Sequence, residues 1–316
     1  MPRAAHLGDW ITLSVLTVLW GTAFFFNELA LASFPPSVLV AGRIVIATTV
    51  LLVYMWGKGI NLPRKGGAWI PMIILAILGN VLPFRLIAWA QHHIDSSLAG
   101  ILMSVMPLFV LTLAHFFLPG SRLTPSRLTG FILGFAGVVL IIGPEALGGL
   151  SDNMTLWGAL AALGAAFSYS VSSIYARRLG ATDVVQLSAG MLLAASLISI
   201  PGATADLPIV AAPGTGALLA VAVLGLFSTG LATLLYFRLV QGPGPAFLSI
   251  VNYLVPVVAV VAGALLLDES VSSSIFAGMS LILFGIALSE LGARASRFLV
   301  GWQSALQRTR IVRDEA

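Results

Sequence analysis

Ten stretches of about 20 mostly apolar residues, each long enough to cross a bilayer as a helix, follow one another along this chain. Charges, prolines and glycine clusters separate them into 10–31, 37–56, 69–90, 96–118, 126–143, 155–176, 184–201, 214–239, 246–267 and 273–291. In lipid an open strand leaves backbone N–H and C=O groups unpaired, so such stretches are expected to be helical. The composition agrees: 59% of the 316 residues are hydrophobic and only 9% are charged, against about 25% in an ordinary globular domain. Mean hydropathy is +1.02, which excludes disorder. With no cysteine, disulfide scaffolds, thiol catalysis, thiolate–zinc sites and iron–sulfur clusters are excluded too. The first stretch is too long for a cleaved signal peptide and no small-residue cleavage site follows, so it is expected to be a retained span.

Charge gives the orientation. With the N-terminus inside, fourteen of the 16 Lys and Arg residues fall on the inner side and none in an outer loop; Arg43 and Arg85 lie within spans. Cytoplasmic loops retain positive charge, so the net charge of +4 reports topology and not a nucleic-acid partner. Trp10, Trp56, Trp69, Trp89 and Trp157 fall at span ends, where an amphipathic ring prefers the headgroup level.

The two halves repeat. Gly130–Gly137 in the fifth stretch matches Gly278–Gly285 in the tenth at an offset of 148. Ala41-Gly42 matches Ala189-Gly190 at 148, and Pro107 matches Pro256 at 149. Five spans per half make the second half run the opposite way. Its linkers agree, since Arg122 and Arg127 correspond to Asp268 and Glu269, while Lys58, Arg64 and Lys65 correspond to Asp206. The expected fold class is therefore all-α integral membrane, ten transmembrane helices in two inverted five-helix repeats with both termini cytoplasmic. The expected parts are an N-terminus (1–9), a first repeat (10–143), an outer linker (144–154), a second repeat (155–291) and a basic tail (292–316). The tail's Phe298, Trp302, Leu306 and Thr309 suit the anionic inner leaflet, the alternative being a disordered tail. The turn Gly242–Pro245 and its counterpart Gln91–Asp95 are expected at opposite mouths, as gates.

Ionisable groups inside a span are costly, so each is a site candidate. Glu28, Arg43 and Arg85 form a possible charge site with two readings. In the simpler one they neutralise each other and lock the first three spans. In the other, an arginine meets a substrate carboxylate or Glu28 titrates. Neutral polar and aromatic residues cluster near the midplane at helical spacing. Asn80, Pro83, Met103, Tyr169, Ser173, Asn252 and Tyr253 are the candidate substrate-binding residues, with Trp20 and Phe24 as wall residues. Ser104, Ser228, Thr229, Tyr236 and Ser249 accompany them, although interhelical packing enriches small polar residues in any case. His92, His93 and Asp95 read as a solvated outer turn rather than a metal site, and His115 as interfacial. No phosphate-binding loop, H-E-x-x-H or G-x-S-x-G motif occurs, so no catalytic constellation, cofactor or metal is expected.

Trp20-Gly21 in the first span, Ala41-Gly42-Arg43 in the second, and Pro107 and Pro256 at matching places resemble the drug/metabolite transporter superfamily, EamA type, over residues 10–291. The second half departs from the first: Phe167-Ser168 stands where Trp-Gly would recur, and Met191 where the arginine would. Members of that superfamily move amino acids, nucleobases, polyamines, nucleotide-linked sugars and drugs. Similarity to bacterial amino-acid exporters, aromatic amino-acid exporters among them, implies export of neutral amino acids or related metabolites across an inner membrane by alternating access, with no enzymatic step. The implied partners are a small-molecule solute and membrane lipid, with no nucleic acid; a monomer is compatible with the sequence. The alternative is an intramembrane enzyme or a lipid-handling protein.

Overall fold

The computed structural model describes residues 5–64, 66–118, 125–142, 154–179, 183–207, 212–248 and 250–289, and among them the backbone forms helices and turns with no strand. Seven helical segments there are long and apolar enough to cross a membrane: Leu7–Leu31, Pro36–Gly57, Gly66–Ala90, Ser96–Phe117, Met154–Arg178, Val184–Asp206 and Thr215–Gln241. Three shorter apolar helices, Leu128–Ile141, Val251–Leu266 and Ser273–Ser289, lie at the fifth, ninth and tenth expected positions. The described residues are all-helical, and the chain is a multi-pass membrane protein. The basic tail, Ser249, Lys65, Arg122 and residues 144–153 lie outside the described residues.

In chain order the elements are α1 (Leu7–Gly21), α2 (Ala23–Leu31), α3 (Pro36–Gly57), α4 (Trp69–Ala76), α5 (Leu82–Ala90), α6 (Ser96–Met103), α7 (Met106–Phe117) and α8 (Pro125–Ile142). They continue with α9 (Met154–Arg178), α10 (Val184–Asp206), α11 (Thr215–Val223), α12 (Ala232–Gln241), α13 (Pro245–Leu248) and α14 (Val251–Leu266), then α15 (Ser273–Ser289). Two π-helical segments interrupt membrane-length helices: Ile77–Val81 between α4 and α5, and Leu224–Leu231 between α11 and α12. A π-turn carries an extra residue and is frequent at functional sites.

Local chemistry sets the helix ends. Pro36 opens α3, where its missing N–H is one of the groups a helix leaves unpaired anyway. Asp183 caps α10 by accepting hydrogen bonds from the backbone N–H of Val185 and Gln186 at 2.9 and 3.0 Å. Pro83, Pro107 and Pro256 stand differently in their helices. Only Pro256 sits inside a continuous helix, α14. Pro83 falls in the first turn of α5, directly after a π-turn, and Pro107 in the first turn of α7, after the break at Ser104–Val105.

The helices pack closely through small residues, as expected where lipid supplies no hydrophobic drive between them. A Cβ added to Gly130 or Gly285 would overlap the other's carbonyl oxygen, and the same holds for Gly137 and Gly278. This order makes α8 and α15 antiparallel. Between α3 and α10, Thr48 and Ser196 share a buried hydroxyl–hydroxyl hydrogen bond of 2.8 Å.

Candidate functional site

Arg43 lies two turns into α3 and is 7% exposed. Its Nε donates to Thr229 Oγ1 at 2.7 Å, and its guanidinium carbon lies 4.0 Å from the centre of the Phe84 ring. Tyr169 packs edge-on against Phe84, with ring centroids 6.4 Å apart. A guanidinium at this distance from a ring face is attracted by its quadrupole. Among the described residues Arg43 makes no ion pair. Thr229 belongs to the second π-segment, and Phe84 follows one turn after Asn80 of the first. The cation thus bridges two helices at their irregular turns.

Each π-segment also holds an unpartnered polar group. Asn80 Nδ2 and Ser228 Oγ are buried with no hydrogen-bond partner, on residues 5% and 2% exposed. An unsatisfied buried donor or acceptor costs about 1–3 kcal/mol. Nearby, α9 is tied to both neighbouring helices: Ser168 Oγ donates to the Leu78 carbonyl at 2.8 Å and Ser170 Oγ to that of Met106 at 3.1 Å.

The three embedded charges do not form the self-neutralising triad that was the simpler expectation. Glu28 accepts from Gln91 Nε2 at 3.3 Å. Gln91 also donates to the Phe24 carbonyl at 2.9 Å and accepts from Asn27 Nδ2 at 2.7 Å. Arg85 is exposed, with its guanidinium against Gly202 of α10. The reason is rotational: Arg43 and Arg85 sit on helix faces that look to different neighbours, and the amide of Gln91 takes the place of a cation beside Glu28. Asn27 and Gln91 are buried members of this network that no charge or motif marks in the sequence.

At the same end of the molecule, the Glu269 carboxylate accepts from the backbone N–H of Ser96 at 2.8 Å and of Ser97 at 2.9 Å, and from the Ser97 hydroxyl. It caps α6 from a distant linker and complements the helix dipole. Burial first, then the Glu269 charge, pushes the Asp95 carboxyl above its ordinary 3.8. Burial and neighbouring His93 hold His92 below its ordinary 6.5. Among the described residues no group of three His, Cys, Asp or Glu side chains is placed to hold a metal ion.

The expected lining residues divide. Phe24 belongs to one buried cluster, against which Met103, Tyr169 and Tyr253 pack. Tyr169 also touches a second cluster that contains Val81 and Phe84. Pro83 is buried beside that group. Ser173 and Asn252 are half-buried and have no hydrogen-bond partner among the described residues. Trp20 departs from the expectation: it packs in a third cluster, near Tyr236 at 6.1 Å between ring centroids. A cavity of about 530 Å³ opens between the end of α3, the start of α10 and α12, lined by Tyr54, Val185, Leu234, Phe237, Arg238 and Gln241 among others. Arg43 and Asn80 do not line it, so it is separate from the polar centre.

Helices of membrane length surround a buried arginine that makes no ion pair among the described residues, which is the interior of a multi-pass membrane protein. The family model for the EamA-like transporter family matches residues 9–143 and again 156–291, and the chain belongs to that family of membrane transporters. It is 29% identical over 288 residues to the uncharacterized inner membrane transporter YedA of Escherichia coli (strain K12), covering 89% of this chain and 90% of that protein. It is 26% identical to the uncharacterized transporter YvbV of Bacillus subtilis (strain 168), covering 91% and 93%. It is also 26% identical to the chloroplastic WAT1-related protein At3g02690 of Arabidopsis thaliana, covering 89% and 69%. A solved crystal structure shares the fold at a TM-score of 0.65 and 23% identity, covering 92% of this chain and 100% of its own.

Proposed function

We propose that the protein exports neutral, partly hydrophobic amino acids across a bacterial inner membrane by alternating access, with the substrate carboxylate held by Arg43. The observation that carries this reading is the unpaired burial of that guanidinium. Placing an arginine at the centre of a membrane helix costs about 2.5–3.5 kcal/mol on insertion scales. A single neutral hydroxyl and a ring face leave most of its five donors free. A carboxylate completes the set with bidentate geometry. The orphaned Asn80 and Ser228, with Tyr169 and Phe84, suit the remaining polar and apolar parts of an amino acid.

The architecture in this reading has ten spans, both termini inside, and two inverted halves at 10–143 and 155–291. Support comes from the two successive matches of the family model. It also comes from contacts that interchange when 148 is added or subtracted: Gly130–Gly285 becomes Gly278–Gly137, and Thr48–Ser196 maps onto itself. Inverted repeats place their substrate at the repeat interface and rock around it. Glu269 then seals the outer side while the cavity beside Arg238 opens inward.

The test is solute counterflow in liposomes holding only the purified protein. Arg43→Met is expected to lower exchange of radiolabelled L-leucine and L-norvaline by at least about tenfold, the loss that follows removal of a charge-assisted pair. The variant should melt no lower than wild type, because an unpaired buried charge has been removed. Wild-type exchange in Arg43→Met would end the proposal.

A further inference from the structure

The two π-segments are related by the same offset of 148 as the halves: Asn80 corresponds to Ser228, and each carries the orphaned polar atom of its segment. The site is nevertheless not symmetric. Arg43 corresponds to Met191. Arg43 reaches the second π-segment at Thr229. At the mirror place, the Met191 sulfur reaches the first, lying 4.0 Å from where a Cβ on Gly79 would stand. Met191 is half-buried and packs against the cluster that contains Val81 and Phe84.

The difference extends to the neighbours. Around Arg43 stand Phe84 and Tyr169; their counterparts at the same offset are Ala232 and Gly21. One π-turn is therefore faced by a cation, and the other by an uncharged, polarisable thioether beside the Ser172 hydroxyl. A thioether adapts to apolar shapes and offers only a weak acceptor.

From this juxtaposition we propose that Met191 is a specificity-determining residue: it is the apolar pole of the site and restricts the substrate to one anionic group, held at the Arg43 pole. The inference rests on the amino-acid reading above and deepens it. A second carboxylate brought to Met191 would be desolvated without a partner, so dicarboxylates are refused by negative selection as much as by poor fit. The chemical class admitted is a zwitterion or monocarboxylate with an apolar far end.

L-Norvaline and L-glutamate test this, since they share a carbon skeleton and differ by a terminal methyl in place of a carboxylate. Full-length protein is reconstituted in liposomes, and counterflow of each is measured as a ratio. Met191→Arg is expected to shift that ratio toward glutamate by about tenfold or more, the scale of one additional charge-assisted hydrogen bond. Met191→Leu should keep the wild-type ratio. Arg43→Met with Met191→Arg moves the cation across the pseudo-twofold and should restore the norvaline exchange that Arg43→Met loses. Where Met191→Arg does not give monodisperse protein, Met191→Gln is scored instead, with a smaller shift in the same direction. An unchanged ratio in the folded Met191 variant, with no rescue in the double variant, overturns the inference while leaving the role of Arg43 intact. Unimpaired norvaline exchange in Arg43→Met alone overturns the amino-acid reading itself.

Discussion

At the scale of single residues, the interior combines features that a purely structural core avoids. Buried polar atoms are normally satisfied, yet Asn80 Nδ2 and Ser228 Oγ are not. If a bound solute is their partner, they weaken the empty protein and strengthen the loaded one. Asn80→Leu is then expected to leave the melting temperature in detergent unchanged or raised, by the equivalent of about 1 kcal/mol, while lowering counterflow severalfold. A melting temperature that falls together with flux would assign Asn80 to packing. The same scale shows what sequence alone makes legible. Arg43 and Asn80 are conspicuous because polar groups in an apolar stretch are conspicuous. Phe84 is not, since a phenylalanine in a span looks like any other until a guanidinium lies on its face. The pairing of Glu28 was not legible for a related reason: charge counting suggests arginine, whereas the partner is the uncharged amide of Gln91.

At the scale of elements, the helices were readable from hydropathy and their interruptions were not. The stretch 155–176 corresponds to α9 at Met154–Arg178, and 184–201 to the longer α10, which ends at Asp206. Pro201 lies within that helix, so a proline that looks terminal in sequence is absorbed. The π-turns carry no comparable signal, because the extra residue depends on which neighbours donate to the freed carbonyl. The bond from the Ser168 hydroxyl to the Leu78 carbonyl is one such donation. The cap on α6 is an element-scale device with two testable consequences. Glu269→Ala removes the acceptor of two backbone N–H groups and should destabilise by about 1 kcal/mol, the usual effect of a lost cap. It should also raise alkylation of single cysteines placed along α6, since the linker that carries Glu269 is no longer tied to that helix. Unaltered melting and labelling would show that the cap is dispensable. The second consequence concerns pH. Asp95 is raised by burial and by Glu269, so the folded state holds its proton more tightly than the unfolded chain does. The resulting stability is full below the ordinary carboxylate value and is lost as pH rises through the folded one. Asp95→Asn should therefore gain stability relative to wild type as pH climbs from about 4 toward neutral. Parallel melting curves for the two proteins across that range would contradict the direction.

At the scale of the whole molecule, the contacts between helices are organised by pairs that exchange under one offset. α8 meets α15 through Gly130–Gly285 and Gly137–Gly278, antiparallel, with each contact the image of the other. A Cβ on Gly42 would meet Val221, and one on Gly190 would meet Met72, again corresponding helices in exchanged roles. In the ten-span architecture proposed above, antiparallel packing of corresponding helices has a topological consequence: equivalent loops of the two halves are expected on opposite membrane faces. Because the chain has no cysteine, single-cysteine labelling tests this without background. Lys58 and Ala212 are exposed positions in equivalent loops, and His92 and Gln241 are exposed where equivalent helices end. A membrane-impermeant maleimide applied to intact cells is expected to modify Ala212→Cys and His92→Cys at once. Lys58→Cys and Gln241→Cys should react only after permeabilisation, on the side where the positive charge is retained. Lys58→Cys and Ala212→Cys reacting from the same side would make the halves parallel. A carboxylate at Arg43 and an apolar end at Met191 would then no longer face each other across one shared site.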